Sequence, residues 1–362
     1  MQFGLCVHSK IDDIGLVTHA ENLGYDAAWF ADSQLLWSDA YACLALAAER
    51  TRRIRLGTGV SVVDTRLAPV TAHSIASINV LAPGRTFLGV GNGFTAWRLM
   101  GRKPARLAEF EAFLDTTRRM LRGEETPFTY RGDTTDVAFQ MADLGFVNVT
   151  DPVPIHVSAF GPKNQRLAGA HGDGLVVSVP PIRKAVERCL ANVAAGAAEA
   201  GRTYDRSSFQ LTTLTAAAVL EPGEDLTSDR VIEQCGPMAV MALHYAYERQ
   251  RQFGLEPPPH LREHWDRYVA LVEQTPEAQR HFRIHAGHGT YLHPDERQFA
   301  TPELIRMTCL VGRPEELAEQ IGALEEAGMD HVMLLPSFAC ATGPWRSSPP
   351  RCSRCWADPL PG

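Results

Sequence analysis

Two glycine-rich loops, each placed just after a short apolar run, are the first candidates for chemistry in this chain. Gly57-Thr58-Gly59 follows Leu56, and Gly91-Asn92-Gly93 follows the run that ends at Val90. In parallel α/β folds the ligand sits at the carboxyl ends of the strands, so the two loops should face one pocket. Glycine lets the backbone approach a flat ring or a phosphate group closely, and the loops predict a site for such a ligand.

The second of these loops completes neither of the common nucleotide-binding motifs. Gly-Val-Gly-Asn-Gly-Phe at 89–94 has no third glycine in register, and no acidic residue follows about 20 positions later in a βαβ context, so it is not a dinucleotide fingerprint. No Gly-Lys-Ser or Gly-Lys-Thr follows, so it is not a P-loop either. Taken alone the glycines are a weak signal, because glycine after a strand serves many tight turns.

A third loop, Ser158 to Asn164, follows the predicted strand at 154–158. Gly161 precedes Pro162, which suits the first position of a helix. The free backbone amides of the first helical turn would then point out of the strand end, with Lys163 beside them. These amides can hold a phosphate group, and a plain helix start explains the same residues equally well.

Polar residues follow the apolar run at 26–31, where an α/β barrel would keep its active site. They are Asp32, Ser33 and Gln34. His8 ends the first apolar run and is a candidate general base. A Ser-His-Asp mechanism has little support, because the chain contains no Gly-x-Ser-x-Gly elbow.

The elements that must position these loops form a repeating pattern of strands and helices. Strand-like runs begin at about residues 2, 26, 54, 86, 154, 174, 209 and 331. Eight is the number that a closed (β/α)8 TIM barrel requires, and an open doubly wound sheet is the second alternative. The sequence therefore predicts an α/β protein with a TIM barrel.

Three segments depart from the barrel pattern. Residues 126–140 contain short β-like runs around a Gly-Asp turn and predict a surface hairpin. Residues 221–303, after the seventh strand, predict a mostly helical insertion that carries either substrate contacts or an oligomer contact. Residues 339–362 are rich in proline and lack the expected eighth barrel helix, so we expect one domain at 1–338 and an irregular tail.

Composition excludes several classes of protein. The net charge of -7 and the pI of about 6.0 argue against binding to nucleic acid or to an anionic membrane. No run of about 18 apolar residues and no signal peptide pattern is present, so a cytoplasmic protein is expected. Cys352 and Cys355 form a C-x-x-C pair without a second pair at ligand spacing, so no metal site is predicted.

Five segments, in order, resemble the bacterial luciferase-like superfamily, especially its methylene-tetrahydromethanopterin-reductase-like branch. They are YDAAWFADSQ, RIRLGTGVSVVDTR, PVTAHSIASINVLAPGRTFLGVGNG, IHVSAFGPKNQRLAGAHGDGL and VGRPEELAEQIGALEEAGMDHVMLLP. The resemblance covers most of residues 1–220 and 304–336. It implies a (β/α)8 barrel that binds reduced FMN or the deazaflavin coenzyme F420 and acts on a small organic substrate by oxygenation or hydride transfer. A flavin-binding relative without catalytic activity is a further alternative.

The resemblance also assigns roles to individual residues. The residue after the second strand, Asp32, should lie near the isoalloxazine, and Gly59-Val60 should be a non-proline cis peptide bond. Asp32, Gln34 and His8 are the catalytic candidates. The expected cofactor contacts are Ser33, Thr58, Gly59, Val60, Gly91, Asn92, Gly93 and Ser158, with Gly161, Pro162 and Lys163 at the phosphate end.

Two positions depart from the deazaflavin-dependent sugar-phosphate dehydrogenases of this superfamily. Ser33 and Phe94 stand where those enzymes carry a histidine and a glutamate, so the acid–base pair that oxidises an alcohol is missing. Phe94 and Trp97 instead predict an apolar wall, which suits a reduced flavin that reacts with dioxygen. The sequence therefore favours an FMN-dependent monooxygenase over an F420-dependent enzyme. The resemblance further implies a separate flavin reductase as partner and a homodimer as the assembly.

Overall fold

The computed structural model describes residues 1–178 and 182–338, which fall into two compact units. The first contains Met1–Val177, Val186–Thr213 and Gly328–Met333. The second contains Ser178–Ala185, Leu214–Ala327 and the described residues from Leu334 onward. The predicted tail at 339–362 lies outside the described residues, so the domain boundary at 338 stays a prediction.

Strands and helices alternate along much of the described chain. The strands are β1 (Gln2–Val7), β2 (Ala27–Phe30), β3 (Arg55–Thr58), β4 (Ser61–Val62), β5 (Thr86–Gly91), β6 (Thr126–Tyr130), β7 (Asp133–Val137), β8 (Ile155–Ser158), β9 (Gly174–Val177), β10 (Gln210–Thr215), β11 (Ala217–Val219), β12 (Leu310–Gly312) and β13 (His331–Leu334). The α-helices are α1 (Gly15–Asn22), α2 (Ala40–Arg50), α3 (Ala68–Leu81), α4 (Phe94–Leu99), α5 (Leu107–Leu121), α6 (Pro162–His171), α7 (Arg183–Glu199), α8 (Asp229–Phe253), α9 (Arg262–Glu273), α10 (Arg280–His285), α11 (Pro302–Thr308) and α12 (Pro314–Glu326).

A closed parallel barrel forms the centre of the first unit. Its strands follow the order β3-β2-β1-β13-β10-β9-β8-β5, and pairing between β3 and β5 closes the ring. The short strand β4 extends the β3 side and pairs with β5. These eight barrel strands begin within two residues of the positions that the sequence predicts, so the TIM-barrel prediction is confirmed.

Inside the barrel, large aromatic side chains lie next to glycines. Side chains therefore fill the interior of the barrel. The rings of Trp29 and Phe87 lie 4.3 Å apart, and the ring of His156 lies 5.3 Å from that of Trp29. A Cβ on Gly57 would approach the Phe87 ring to 2.3 Å, and one on Gly59 would approach the Trp29 Cβ to 2.7 Å. The interior is therefore a packed core, and ligands must bind at the ends of the barrel.

Local sequence signals mark the ends of several helices. The Asp39 carboxylate accepts hydrogen bonds from the amides of Tyr41 and Ala42, both at 3.0 Å, and caps the start of α2. Pro314 occupies the first turn of α12, and Gly328 follows that helix with a φ of 102°, which glycine adopts readily.

The segment at 126–140 contains an antiparallel hairpin. β6 pairs with β7 in register from Thr126 opposite Val137 to Tyr130 opposite Asp133. Arg131 and Gly132 make the turn with positive φ values of 54° and 92°. Most residues of both strands are exposed, as expected for a hairpin on the surface.

The second unit is mostly helical, as predicted for the insertion after the seventh barrel strand. It contains the parallel pair β11–β12 and the helices α8 to α12. Its core includes the buried side chains of Tyr268 and Phe299, whose rings lie 5.6 Å apart. Among the described residues, no helix combines the length and apolar character needed to span a bilayer. The predicted substrate or oligomer contacts of this segment stay predictions.

Candidate active site

Loops from four barrel strands meet at the carboxyl end of the barrel. The Ser61 hydroxyl, just after β3, donates a hydrogen bond of 3.0 Å to the carboxylate of Asp32, just after β2. A Cβ on Gly91, at the end of β5, would lie 3.1 Å from a methyl group of Val60 and 3.3 Å from the Cβ of Ser158, at the end of β8. The predicted cofactor contacts Val60, Gly91 and Ser158 therefore lie together.

Asp32 is the buried acid of this end, with 4% of its surface exposed. Its carboxylate accepts hydrogen bonds from Arg66 Nη1 at 2.7 Å, from Ser61 at 3.0 Å and from the Gln34 amide at 2.9 Å. Burial raises the pKa of Asp32 to about 6, against the opposing effect of the Arg66 guanidinium. This carboxyl group therefore exchanges a proton at a mildly acidic pH.

Arg66 is held on three sides and fixes the position of Asp32. Besides Asp32 it forms an ion pair with Asp39, the capping residue of α2, and its guanidinium lies 4.8 Å from the centre of the Tyr41 ring. The hydroxyl groups of Tyr41 and Ser61 are hydrogen-bonded at 2.8 Å. Arg66, Tyr41 and Ser61 were not among the predicted site residues, although Arg66 ends the segment RIRLGTGVSVVDTR that carries the family resemblance.

The loop after β3 is tied to both neighbouring strands. The peptide bond between Gly59 and Val60 is cis, as the resemblance implies. The amide of Gly59 donates to the Phe30 carbonyl at 2.6 Å, and the Thr58 hydroxyl donates to the Gly89 carbonyl at 2.5 Å. These bonds place the Val60 side chain against the glycines of β5, since a Cβ on Gly89 would lie 2.9 Å from Val60.

The loop after β5 requires glycine for both conformational and steric reasons. Gly93 has a φ of 79°, and a Cβ there would approach a methyl group of Val62 to 2.1 Å. The indole N–H of Trp97 donates to the Val63 carbonyl at 3.0 Å, while the Asn92 carbonyl accepts from the Ala105 amide at 3.3 Å. Both bonds hold this loop against the ends of the neighbouring elements.

Phe94 and Trp97 lie on the first turn of α4, directly after Gly93. The Arg98 guanidinium lies 5.2 Å from the centre of the Phe94 ring. Both aromatic side chains are half-buried. The sequence predicts an apolar wall from these two residues. The Phe94 side chain is apolar, whereas the Trp97 side chain is amphipathic because its N–H group donates to the Val63 carbonyl.

The loop after β8 starts α6 without a side-chain cap. Gly161 precedes the helix, Pro162 occupies its first turn, and Lys163 is exposed. A Cβ on Gly161 would meet no atom within 4 Å, so the backbone here is open to a ligand. Helix N-terminal amides beside a lysine form a favourable environment for an anionic group.

His8 and Ser33 lie at the same end of the barrel. The His8 ring stacks on Trp37 with ring centres 6.2 Å apart, and burial lowers the pKa of His8 to about 4. His8 is therefore neutral at pH 7 and acts there as a weak base at most. The Ser33 carbonyl accepts from the Trp37 amide at 3.3 Å. The neighbouring Ser9 hydroxyl donates to the Ala31 carbonyl at 2.6 Å and ties β1 to β2.

Two features of this end fit a flat cofactor with an anionic tail. The side-chain carbonyl oxygen of Gln34 is buried and has no hydrogen-bond partner among the described residues, while its amide nitrogen is bound to Asp32. That oxygen can accept a hydrogen bond from a ring N–H group. The open backbone at Gly161 and the adjacent Lys163 can receive a phosphate. Reduced FMN and F420 both combine these groups.

Comparison with known proteins gives one family and several relatives. The family model described as luciferase-like monooxygenase matches residues 12–331. The 5,10-methylenetetrahydromethanopterin reductase of Methanolobus tindarius is 36% identical over 187 residues, which cover 51% of this chain and 54% of that protein. The F420-dependent hydroxymycolic acid dehydrogenase of Mycobacterium tuberculosis is 33% identical over 211 residues, which cover 54% and 57%. The chain thus spans about half the length of these two relatives.

A solved structure extends the comparison to the whole barrel. The oxygenating constituent of 3,6-diketocamphane monooxygenase from Pseudomonas putida, a type II Baeyer–Villiger monooxygenase in complex with FMN, superimposes with a TM-score of 0.60. The match covers 96% of this chain and 95% of that one at 19% identity, which supports a shared fold. Because the family model matches nearly all of the chain that the structure describes, this protein belongs to the luciferase-like monooxygenase family.

Proposed function

We propose that this protein is a monooxygenase that uses reduced FMN to oxygenate a small organic substrate. The observation that carries the proposal is the composition of the loops that meet at Val60, Gly91 and Ser158. Glycine backbone lies on one side of this meeting point. The apolar Phe94 follows it at the position where, by the family resemblance, the deazaflavin-dependent sugar-phosphate dehydrogenases carry their glutamate. Ser33 replaces the histidine of the same pair, so the residues suit oxygenation better than alcohol oxidation.

Bound reduced FMN would supply the two electrons that activate dioxygen, and the protein would supply position and polarity. The buried Gln34 oxygen would orient the ring by accepting a hydrogen bond. The amides at the start of α6 and Lys163 would hold the phosphate. Phe94 and Trp97 would limit access of water to the reacting face.

Asp32 would set the polarity next to the ring through Gln34. Its carboxylate accepts from the Gln34 amide, which leaves the Gln34 oxygen pointing to another partner. Arg66 keeps Asp32 ionised above about pH 6. Protonation of Asp32 would turn one acceptor into a donor, and the hydrogen bond from Gln34 would then lose its charge assistance.

F420-dependent hydride transfer is the second candidate function. Two relatives above 30% identity favour it, because one is a methylenetetrahydromethanopterin reductase and the other is named as F420-dependent. The same loops would hold the deazaflavin ring. In the FMN case a separate flavin reductase would supply the reduced cofactor, and we propose a homodimer as the assembly in either case.

Anaerobic titration of the purified protein with reduced FMN and with reduced F420, followed by admission of oxygen and an organic substrate, tests the proposal. We expect FMN to bind with a Kd below about 10 μM. Oxygen uptake that depends on both FMN and an added organic substrate supports the monooxygenase. Hydride exchange with F420 alone would replace it by the second candidate, and binding of FMN without oxygen uptake would indicate a non-catalytic flavoprotein.

A further inference from the structure

A cavity of about 500 Å³ opens at the amino end of the barrel, opposite to the candidate active site. Its lining includes the first residues of three barrel strands, namely Arg55 of β3, Ile155 of β8 and Gln210 of β10. The carboxyl-end loops described above contribute no residue to this lining. The volume lies in the range of small-molecule sites, which is about 300–1,000 Å³.

Arg55 is a partly buried cation that makes no ion pair with a described residue. Its guanidinium donates to the Gln210 side-chain oxygen at 3.2 Å and lies 5.3 Å from the centre of the Phe87 ring. Burial lowers the pKa of its side chain, and the charge of Asp26 only partly offsets this effect. A partly buried charge without a paired counter-ion is costly, and a bound anion would reduce that cost.

His156 lines the same cavity and has unused hydrogen-bonding capacity. It is 2% exposed, and neither ring nitrogen has a hydrogen-bond partner among the described residues. Burial, together with the nearby Arg55, lowers the pKa of His156 to about 3, so the ring is neutral at pH 7. A neutral imidazole carries one N–H, which can donate to an anionic ligand.

Two further arginines from the end of α5 line the cavity, and its one acid is already paired. Arg118 donates to the Asp173 carboxylate at 3.0 and 3.1 Å, and Arg202 donates to the same carboxylate at 3.0 Å. Arg122 is exposed and lies 3.9 Å from Glu124, at the limit of an ion pair. This side of the cavity therefore carries an excess of positive charge.

Apart from Ser208, the rest of the lining is apolar. It contains Leu121, Val149, Pro152, Val153 and Pro154. A cationic side and an apolar side together select a ligand with an anionic group and an apolar body, because inorganic ions leave the apolar side uncovered.

We propose that this cavity is a second ligand site that binds a small organic anion. Its carboxylate or phosphate group lies on the side of Arg55 and Arg122, and its apolar body lies against Val149, Val153 and Pro154. The proposal does not depend on the cofactor or the reaction at the other end of the barrel.

Titration calorimetry of the full chain with benzoate and with inorganic phosphate, at constant ionic strength set with chloride, tests the proposal. We expect saturable binding of benzoate that is tighter than binding of inorganic phosphate, because only benzoate also covers the apolar side of the cavity. Arg122→Ala should weaken binding about tenfold, since it removes one charge-assisted contact. Arg55→Gln should weaken it at least as much, and Arg122→Ala keeps the test valid if the Arg55 variant fails to fold.

Two variants serve as matched controls. Arg119→Ala removes the same charge from α5 at a residue that pairs with Asp115 and does not line the cavity. Lys163→Ala alters the candidate phosphate loop at the other end of the barrel. Both should keep the affinity for benzoate within twofold. Absence of saturable benzoate binding, tighter binding of phosphate than of benzoate, or equal weakening by Arg122→Ala and Arg119→Ala would overturn the proposal.

Discussion

Arg66 donates a hydrogen bond of 2.7 Å to the buried carboxylate of Asp32 and thereby joins the loops that follow β3 and β2. The carboxylate side chain is 3% exposed and the arginine side chain 19%. A charge pair that is this far removed from solvent cannot lose one partner without leaving the other uncompensated. The Arg66–Asp32 pair therefore contributes both to the stability of this end of the barrel and to the polarity of the candidate site.

Replacing Arg66 by methionine should destabilise the protein by about 3 kcal/mol, because the Asp32 charge stays buried without its partner. Urea unfolding followed by circular dichroism measures the change. Lys10→Ala is the control, since the Lys10–Asp12 ion pair is exposed and its loss should change the unfolding free energy little. Equal effects of the two substitutions would show that the Arg66–Asp32 pair is not a structural link.

The stability of the protein should depend on pH through Asp32. Its folded-state pKa of about 6 lies above the ordinary value of 3.8, so folding favours the protonated carboxyl group. The stabilising contribution is full below about pH 4 and is lost as the pH rises to about 6. The unfolding free energy of the protein minus that of Asp32→Asn should therefore fall by about 3 kcal/mol across this window and stay flat above it. A constant difference from pH 4 to pH 7 would contradict the raised pKa.

A methyl group at Gly91 should block the site more than it disturbs the fold. The Cβ of Gly91→Ala would lie 3.1 Å from Val60 and 3.3 Å from Ser158, which small shifts can accommodate. We expect the affinity for reduced FMN to fall about tenfold or more, with little change in melting temperature, in a fluorescence titration. Gly322→Ala, in α12 with no atom within 4 Å of the added Cβ, is the control and should leave FMN binding unchanged. Unchanged binding by Gly91→Ala would place the ring elsewhere.

Lys163 should recognise the phosphate and not the ring. Lys163→Ala is expected to weaken binding of reduced FMN about tenfold through the loss of one charged contact, while binding of reduced riboflavin stays the same. Parallel titrations with the two flavins measure the difference. Lys184→Ala, at an exposed lysine of α7, is the control for net charge. A similar loss with both flavins would argue against a phosphate site at the start of α6.

Gln34 offers a test of how the ring is oriented. Its side-chain oxygen is buried and unpaired, so Gln34→Leu should remove a hydrogen bond to the ring and weaken binding of reduced FMN about threefold to tenfold. The flavin absorption spectrum should shift at the same time, because the ring loses a polar contact. Gln140→Leu, at an exposed glutamine, is the control. An unchanged spectrum would show that the Gln34 oxygen does not face the ring.

Much of the barrel was predictable because its determinants are local. Short apolar runs such as Ala27–Phe30 mark buried parallel strands, and Asp39 and Pro314 mark helix starts, since each acts within one turn of its own position. The cis bond at Gly59-Val60 was predictable only through family resemblance. No local property of glycine followed by valine distinguishes it from a trans bond.

The residues that surround Asp32 were not predictable in the same way. Arg66 reaches Asp32 across 34 positions of sequence, and neither its type nor its spacing marks it as the partner. The Gln34 oxygen lacks a partner only because its amide nitrogen turns toward Asp32. Such relationships depend on how the loops pack at the barrel end.

The sequence by itself determined the number and order of the barrel strands, the loops that end them and the family, because hydrophobic period and turn chemistry are properties of neighbouring residues. Only the tertiary structure decided which side chains form hydrogen bonds and ion pairs with one another. Closure of the barrel brings the strand ends together. Asp32 therefore contacts Arg66 at one end, and Arg55 lines the cavity at the other. Both placements depend on the whole ring of strands.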